Sequence, residues 1–281
     1  MKTKRFFFVL AASAMLATTA GFTTACSTED NNPVEPEVKD TYPIAIDEKH
    51  FPDAAFRTLL IQNYRWAADG VLTEDEAMKV EIIFLTTDGS VSIKSLKGIE
   101  WFPNLAHLSC NNQKLTEVDV SKNKELDILE LDDNELTSID LTENPNLMTL
   151  SLKGNKLKSI DLSKNRFLSE VILGNNELES LDLSKNPEIT LLWVANNQLT
   201  SLDLTGLDLY MVVIHSNSIR GEAMDVLIAS LPTGTNNQLI GIDTSDPNER
   251  NVITKAQVEA AMAKGWVITD RATPGSYPGS E

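Results

Sequence analysis

The chain has 281 residues, a formal charge of −17 and 42% hydrophobic residues. A surface that acidic repels phosphate backbones, which argues against a nucleic-acid partner. Two cysteines, Cys26 and Cys110, give no basis for a disulfide framework.

Residues 1–25 read as a secretory signal: a basic start (Lys2, Lys4, Arg5), the apolar run FFFVLAASAMLA, then small residues. The run is too short to cross a bilayer. Its removal takes away three cations and no acid, moving the formal charge from −17 to −20. The stretch Thr23-Thr24-Ala25-Cys26 resembles a bacterial lipoprotein signal, which implies lipidation at Cys26. Thr23 departs from the Leu usual three places before that cysteine; the alternative is ordinary cleavage near Ala25 beside an incidental cysteine. Residues 26–42 form a polar, proline-spaced, acidic linker with nothing to bury. Its STED start resembles the surface-export signal of Bacteroidetes lipoproteins, which implies a chain exported and lipid-anchored at the outer-membrane surface, touching the membrane through that anchor alone.

Residues 43–104 are expected to form a helical N-terminal cap. Phe51, Phe56, Leu59, Leu60 and Tyr64 recur at helical spacing around Pro52, giving one amphipathic helix. Asp69-Gly70 marks a turn, Thr73 and Glu76 make a capping box for a short helix over 74–80, and 81–85 reads as a first strand. The segment RWAADGVLTEDE has the Gly and final Glu of an EF-hand calcium loop. Arg65 and Ala67 at its first two ligand positions leave too few hard oxygens, so a turn and a capped helix with no metal is expected.

Residues 105–219 repeat. Leu126, Leu129, Leu131, Asn134, Leu136, Ile139 and Leu141 return 21 positions later at every place, as Leu147, Leu150, Leu152, Asn155, Leu157, Ile160 and Leu162, and then twice more. A unit upstream has Gln113 at the asparagine place, and one downstream, shortened by a residue near Gly206, has Asn217. That makes about six units of the pattern L-x-x-L-x-L-x-x-N-x-L, which is the mark of a leucine-rich repeat. Each unit supplies one short strand to a parallel sheet, and no single unit can close a core; only the stack can. At roughly 1.5–3 kcal/mol per buried Leu-sized side chain, several units outweigh the chain entropy that one cannot. Asn134, Asn155, Asn176, Asn197 and Asn217 form an interior column that satisfies backbone groups at each strand exit. Asp119, Asp140, Asp161, Asp182 and Asp203 form a second column, each followed two residues on by Ser or Thr, which suits a local turn hydrogen bond better than a divalent ion.

Together with SLKGIEWFPN and LSCNNQKLTEVDVSKN, the 21-residue units resemble internalin-type repeats such as those of internalin J. That resemblance implies an extracellular binding module. Only one unit keeps the cysteine found at this place in that repeat, so Cys110 is read as a small buried core residue.

Residues 220–270 read as a βαβ-type C-terminal cap. Met224, Leu227, Ile228 and Leu231 define a helix ending before Pro232, 238–244 is a strand, Thr254 and Gln257 box the start of another helix, and WVITD is the last strand. Parallel continuation of the repeat sheet follows. Residues 271–281 are expected to be a flexible tail.

The expected fold is therefore an α/β leucine-rich-repeat solenoid with a cap at each end. Binding is expected on its concave face, where the positions flanking the central Leu of each strand point outward. Early units are polar there, whereas Ile172, Leu191, Trp193, Met211 and Val213 gather in the last three with His215 close by. An apolar patch with a Trp anchor marks a binding site for an extracellular protein or, with Trp193 as stacking platform, a glycan. The competing readings are burial of the patch under the C-terminal segment and a structural envelope component with no ligand. His50, His107 and His215 lie in separate parts of the chain with no metal-ligand or nucleophile spacing, and no cofactor fingerprint occurs, so catalysis is not expected.

Overall fold

A computed structural model describes residues 40–86, 92–273 and 275–281. The signal, Cys26 and linker residues 26–39 lie outside the described residues. Among these residues no helix is long and apolar enough to cross a membrane.

Nine strands pair in chain order into one parallel sheet: β3 (Ile82–Phe84), β4 (His107–Ser109), β5 (Ile128–Glu130), β6 (Thr149–Ser151), β7 (Glu170–Ile172), β8 (Leu191–Trp193), β9 (Met211–Val213), β10 (Asn237–Ile242) and β11 (Trp266–Asp270). Register is exact from unit to unit: Leu108, Leu129, Leu150, Val171, Leu192 and Val212 lie side by side, and all are fully buried. The flanking leucines converge on the same continuous core. Cys110 sits in that core at 0% exposure, where burial pushes its thiol up to about 12.

Asparagine holds the units together on two sides. Asn155 Nδ2 donates to the carbonyls of Leu131 and Leu152, while its Oδ1 accepts from Leu136 N; Asn134, Asn176, Asn197 and Asn217 repeat the arrangement. A second column, Asn123, Asn144, Asn165 and Asn186, is fully buried on the return side. Each of its amides reaches carbonyls one unit back, as Asn165 Nδ2 does to Leu141 and Asn144. Between strand and first column the chain turns left-handed at Asn112, Asp133, Gly154, Asn175, Asn196 and Ser216, residue types that tolerate positive φ. The aspartate column behaves as expected: each carboxylate accepts the backbone N–H two residues on, at 2.8–2.9 Å.

The segment before the repeats holds two short helices and a small strand pair. The first helix, α1 (Ala54–Asn63), starts at Asp53, whose Oδ1 accepts from Phe56 N. A small antiparallel pair, β1 (Ile44–Ala45) with β2 (Val71–Leu72), was not legible in the sequence. The Thr73/Glu76 capping box starts α2 (Glu74–Ala77), one turn shorter than expected, and it occupies the Glu76 carboxylate that an EF-hand reading would have given to calcium. The Tyr64 hydroxyl closes the exposed edge of β3, accepting from Phe84 N at 2.7 Å and donating to Phe84 O at 3.2 Å.

At the other end, α3 (Glu222–Ser230) and α4 (Lys255–Ala263) alternate with β10 and β11, so the cap is a parallel continuation of the array. It even supplies another asparagine rung: Asn251 Oδ1 accepts from Ile219 N, and its amide donates to Ile214 O and Gly241 O. The expectation of a free tail is overturned for residues 275–281. Ser276 bridges antiparallel to Thr269, Tyr277 N donates to Ile268 O, and Ser280 N donates to Ile253 O. The tail thus covers the outer edge of β11, where unpaired strand groups would otherwise be exposed.

Candidate binding face

Strand register fixes which side chains share the outer face of the sheet. One row runs Ile82, His107, Ile128, Thr149, Glu170, Leu191, Met211, Gln238 and Val267. The next runs Phe84, Ser109, Glu130, Ser151, Ile172, Trp193, Val213, Ile240 and Thr269. Leucines alternate inward with these, so the face owes its composition to the variable positions of the repeat.

The middle of the face is polar and internally bonded. Asp132 Oδ1 accepts from Ser151 Oγ at 2.6 Å and Lys153 N at 2.8 Å, and Asn111 Oδ1 accepts from Asp132 N at 2.6 Å. Burial raises the Asp132 carboxyl above its ordinary range. His107 lies 3.6 Å from Glu130 and stands edge-on to the Phe84 ring.

Toward the C-terminal end the face turns apolar. Trp193 is 36% exposed, with Ile172, Leu191 and Met211 half-buried around it. Its indole edge lies against Gly174, where an added Cβ would meet Trp193 Nε1 at 2.9 Å and Cδ1 at 3.0 Å. The glycine therefore makes room for the ring.

Two of the six patch residues do not belong to the open surface. Val213 and His215 are each 2% exposed. Alternation along β9 does point them outward, but β10 sets Ile240 beside Val213. The turns after β10 and β11 bring Asp243, Asp246, Asp270 and Arg271 around His215, and burial pushes its imidazole down. The covering segment thus hides one margin of the patch and leaves Ile172, Leu191, Trp193 and Met211 accessible.

Several exposed groups on or beside the face escaped the sequence reading. Tyr210, 51% exposed, precedes Met211, and Val267 extends the first row onto β11. Ile82 and Phe84 form a separate apolar spot at the opposite end, 49% and 46% exposed. Strand β3 precedes the 21-residue register, so its outward positions could be found only once its pairing with β4 was known.

Among the described residues, His215 comes close to a hydroxyl and a carboxylate but not in the order of a nucleophilic triad. Ser216 Oγ donates to Asp246 Oδ2 at 2.6 Å and lies 3.2 Å from His215 Nδ1. The hydroxyl sits between imidazole and carboxylate, whereas a nucleophilic triad needs the imidazole in the middle. His50 pairs with Asp47 in the N-terminal cap, far along the chain from both His107 and His215. Among the described residues, no group of three or more His, Cys, Asp or Glu is placed to hold a metal.

Solved structures share this architecture. The fold is that of a leucine-rich-repeat protein resembling the internalins. Internalin InlF of Listeria monocytogenes aligns with TM-score 0.61 at 23% identity, over 82% of this chain and 67% of that one. Internalin C2 of the same organism aligns with TM-score 0.59 at 19% identity, over 81% and 97%. The leucine-rich effector YopM of Yersinia pestis aligns with TM-score 0.52 at 21% identity, over 77% and 54%. The functional domain of internalin InlJ, which includes a cysteine ladder, superposes more loosely at TM-score 0.39, and this chain spans 60% of its length. No protein-family model matches the sequence, and no curated protein matches it.

Proposed function

We propose that the chain is a non-catalytic, lipid-anchored surface protein that binds an extracellular protein through the C-terminal half of its outer sheet face. The observation that carries this reading is the apolar group of exposed Trp193 and half-buried Ile172, Leu191 and Met211, with exposed Tyr210 beside it, on a face whose middle is polar. A contiguous apolar patch on a soluble face costs solubility unless something covers it, and Trp is a frequent anchor at such sites. Export and anchoring rest on the signal-like start and on Cys26 alone.

A photo-crosslinker installed at position 193 on intact cells identifies the partner, and the purified partner is then titrated against wild type and Leu191→Ser/Trp193→Ser. Binding lost in a double variant that melts like wild type supports the reading. Unchanged binding overturns it, and so does a variant that fails to fold, since the patch would then be core. Cys26→Ala should abolish incorporation of labelled fatty acid.

A further inference from the structure

A groove of about 560 Å³ opens where the chain leaves β8 and β9, beside the apolar patch. Its walls are polar throughout and include Asn196, Gln198, Ser218, Asp246, Asn248 and Arg250. Asn196 and Ser216 occupy the left-handed turn position of their units, and the two strand exits are joined by Asn196 N donating to His215 O at 3.0 Å and Asn197 N donating to Ser216 O at 3.2 Å. The asparagine column beneath, at Asn197 and Asn217, is spent on backbone groups and fixes the floor. The loop after β10 folds back to form the far wall.

That loop is held firmly. Glu249 accepts the N–H groups of Ser216 and Asp243 through one oxygen and of Asn251 through the other, all at 2.8 Å. Asp246 accepts from Ser216 Oγ and from Asn248 N. Both carboxylates are therefore engaged inside the protein. By contrast, among the described residues the side chains of Asn196, Gln198, Ser218 and Arg250 make no hydrogen bond or ion pair. The interior asparagine amides beneath are consumed by the backbone, so the unspent polar groups of the groove are the turn and loop side chains above them.

Two amides and a guanidinium present donors and acceptors in fixed planes, and a hydroxyl adds one of each. No lining residue carries an apolar side chain, so an apolar ligand finds little to pack against there. Phosphate groups meet Asp246 in the wall and a chain of net charge −17. Neighbouring hydroxyl pairs on a sugar ring suit such a wall, because each can donate to an amide oxygen and accept from an amide or guanidinium N–H. We propose that this groove binds an oligosaccharide, its hydroxyls read by Asn196, Gln198 and Arg250. The inference goes beyond the protein-binding reading and does not depend on it.

Saturation-transfer NMR of the mature full chain with tetrasaccharides from cellulose, mannan, chitin and pectin tests it. Transfer is expected from at least one, with affinity falling about tenfold or more in Gln198→Ala/Arg250→Ala, the loss of one or two hydrogen bonds to ligand hydroxyls. Binding should persist in Leu191→Ser/Trp193→Ser. If the groove double variant melts early, Gln198→Ala alone carries the comparison. The proposal is overturned if no tetrasaccharide shows transfer or if the groove variants bind as wild type. It is equally overturned if only the Leu191→Ser/Trp193→Ser variant loses the sugar, since the indole and not the groove would then hold it.

Discussion

The two halves of one sheet face use the same repeat to opposite ends. From β4 to β6 the outward positions hold Ser109, Asn111, Asp132 and Ser151, whose polar atoms bond to one another and to strand backbone. From β7 to β9 the equivalent positions hold Ile172, Leu191, Trp193 and Met211, which meet solvent with no such partners. Inward positions scarcely differ between the halves, so the backbone scaffold is indifferent to what the face displays. The polar half satisfies its own hydrogen-bonding groups, whereas the apolar half leaves Trp193 open to solvent.

The largest expected effect tests that contrast by affinity. Truncating a central tryptophan at an interface costs about 2–4 kcal/mol of binding, so Trp193→Ala should weaken the partner complex by roughly 30-fold or more. Equilibrium titration with the crosslinked partner measures it. In the polar half the cost should fall on folding: Asp132→Ala leaves Ser151 Oγ and Lys153 N without their acceptor and should lower urea stability by about 1–3 kcal/mol. Its partner affinity should stay within error of wild type. An Asp132→Ala protein that binds tenfold less would show that the polar half is also contact surface.

Acid should not distinguish the halves. The aspartate column runs through both, and each carboxyl is held below its ordinary range by hydrogen bonds from the Ser or Thr two residues on. Asp243, bonded by the Ser245 hydroxyl and the Arg271 guanidinium, is lowered from 3.8 to about 2. Groups with depressed folded values stabilise fully above the ordinary carboxylate range, and that contribution is lost as pH falls through it toward 2. Melting followed by circular dichroism should decline over that window as one transition. Two separated transitions would mean that the array does not unfold cooperatively.

Smallest is Gly174→Ala. The added methyl would press on the Trp193 indole edge, so the ring must swing away from its seat. Stability should shift by under about 1 kcal/mol, while partner affinity drops a few-fold because the anchor is no longer pre-positioned. Unchanged affinity would show that the seat on Gly174 is incidental.

Much of this could be read from the residues because the repeat turns sequence spacing into spatial adjacency. Leu150 lies beside Leu129 for the same reason that it follows it by 21 positions. The left-handed turn positions and the second asparagine column share that spacing and were legible in principle, with Asn144 midway between Leu141 and Leu147 and Asn165 midway between Leu162 and Leu168. What escaped lies where the period breaks. Asn251 completes a rung begun at Ile219, 32 residues earlier, with a whole helix and strand between. The burial of His215 depends on that same excursion, since alternation along a strand says nothing about a distant loop folding over it. Tyr277 against the last strand was invisible for a related reason: proline, glycine and serine forecast freedom when no partner edge is known.

Each asparagine of the first column bonds one unit back as well as within its own unit, and each of the second column bonds one unit back. A whole unit is therefore interchangeable with its neighbour: duplicate 21 residues and every rung re-forms with the copy; remove them and the flanking units meet in the same geometry. Lineages carrying such an array can gain or lose length without passing through an unfolded ancestor. Each step would move the Phe84 end of the face about 4.8 Å relative to the Trp193 end, so the reach of the molecule can drift by recombination while its two caps stay unaltered.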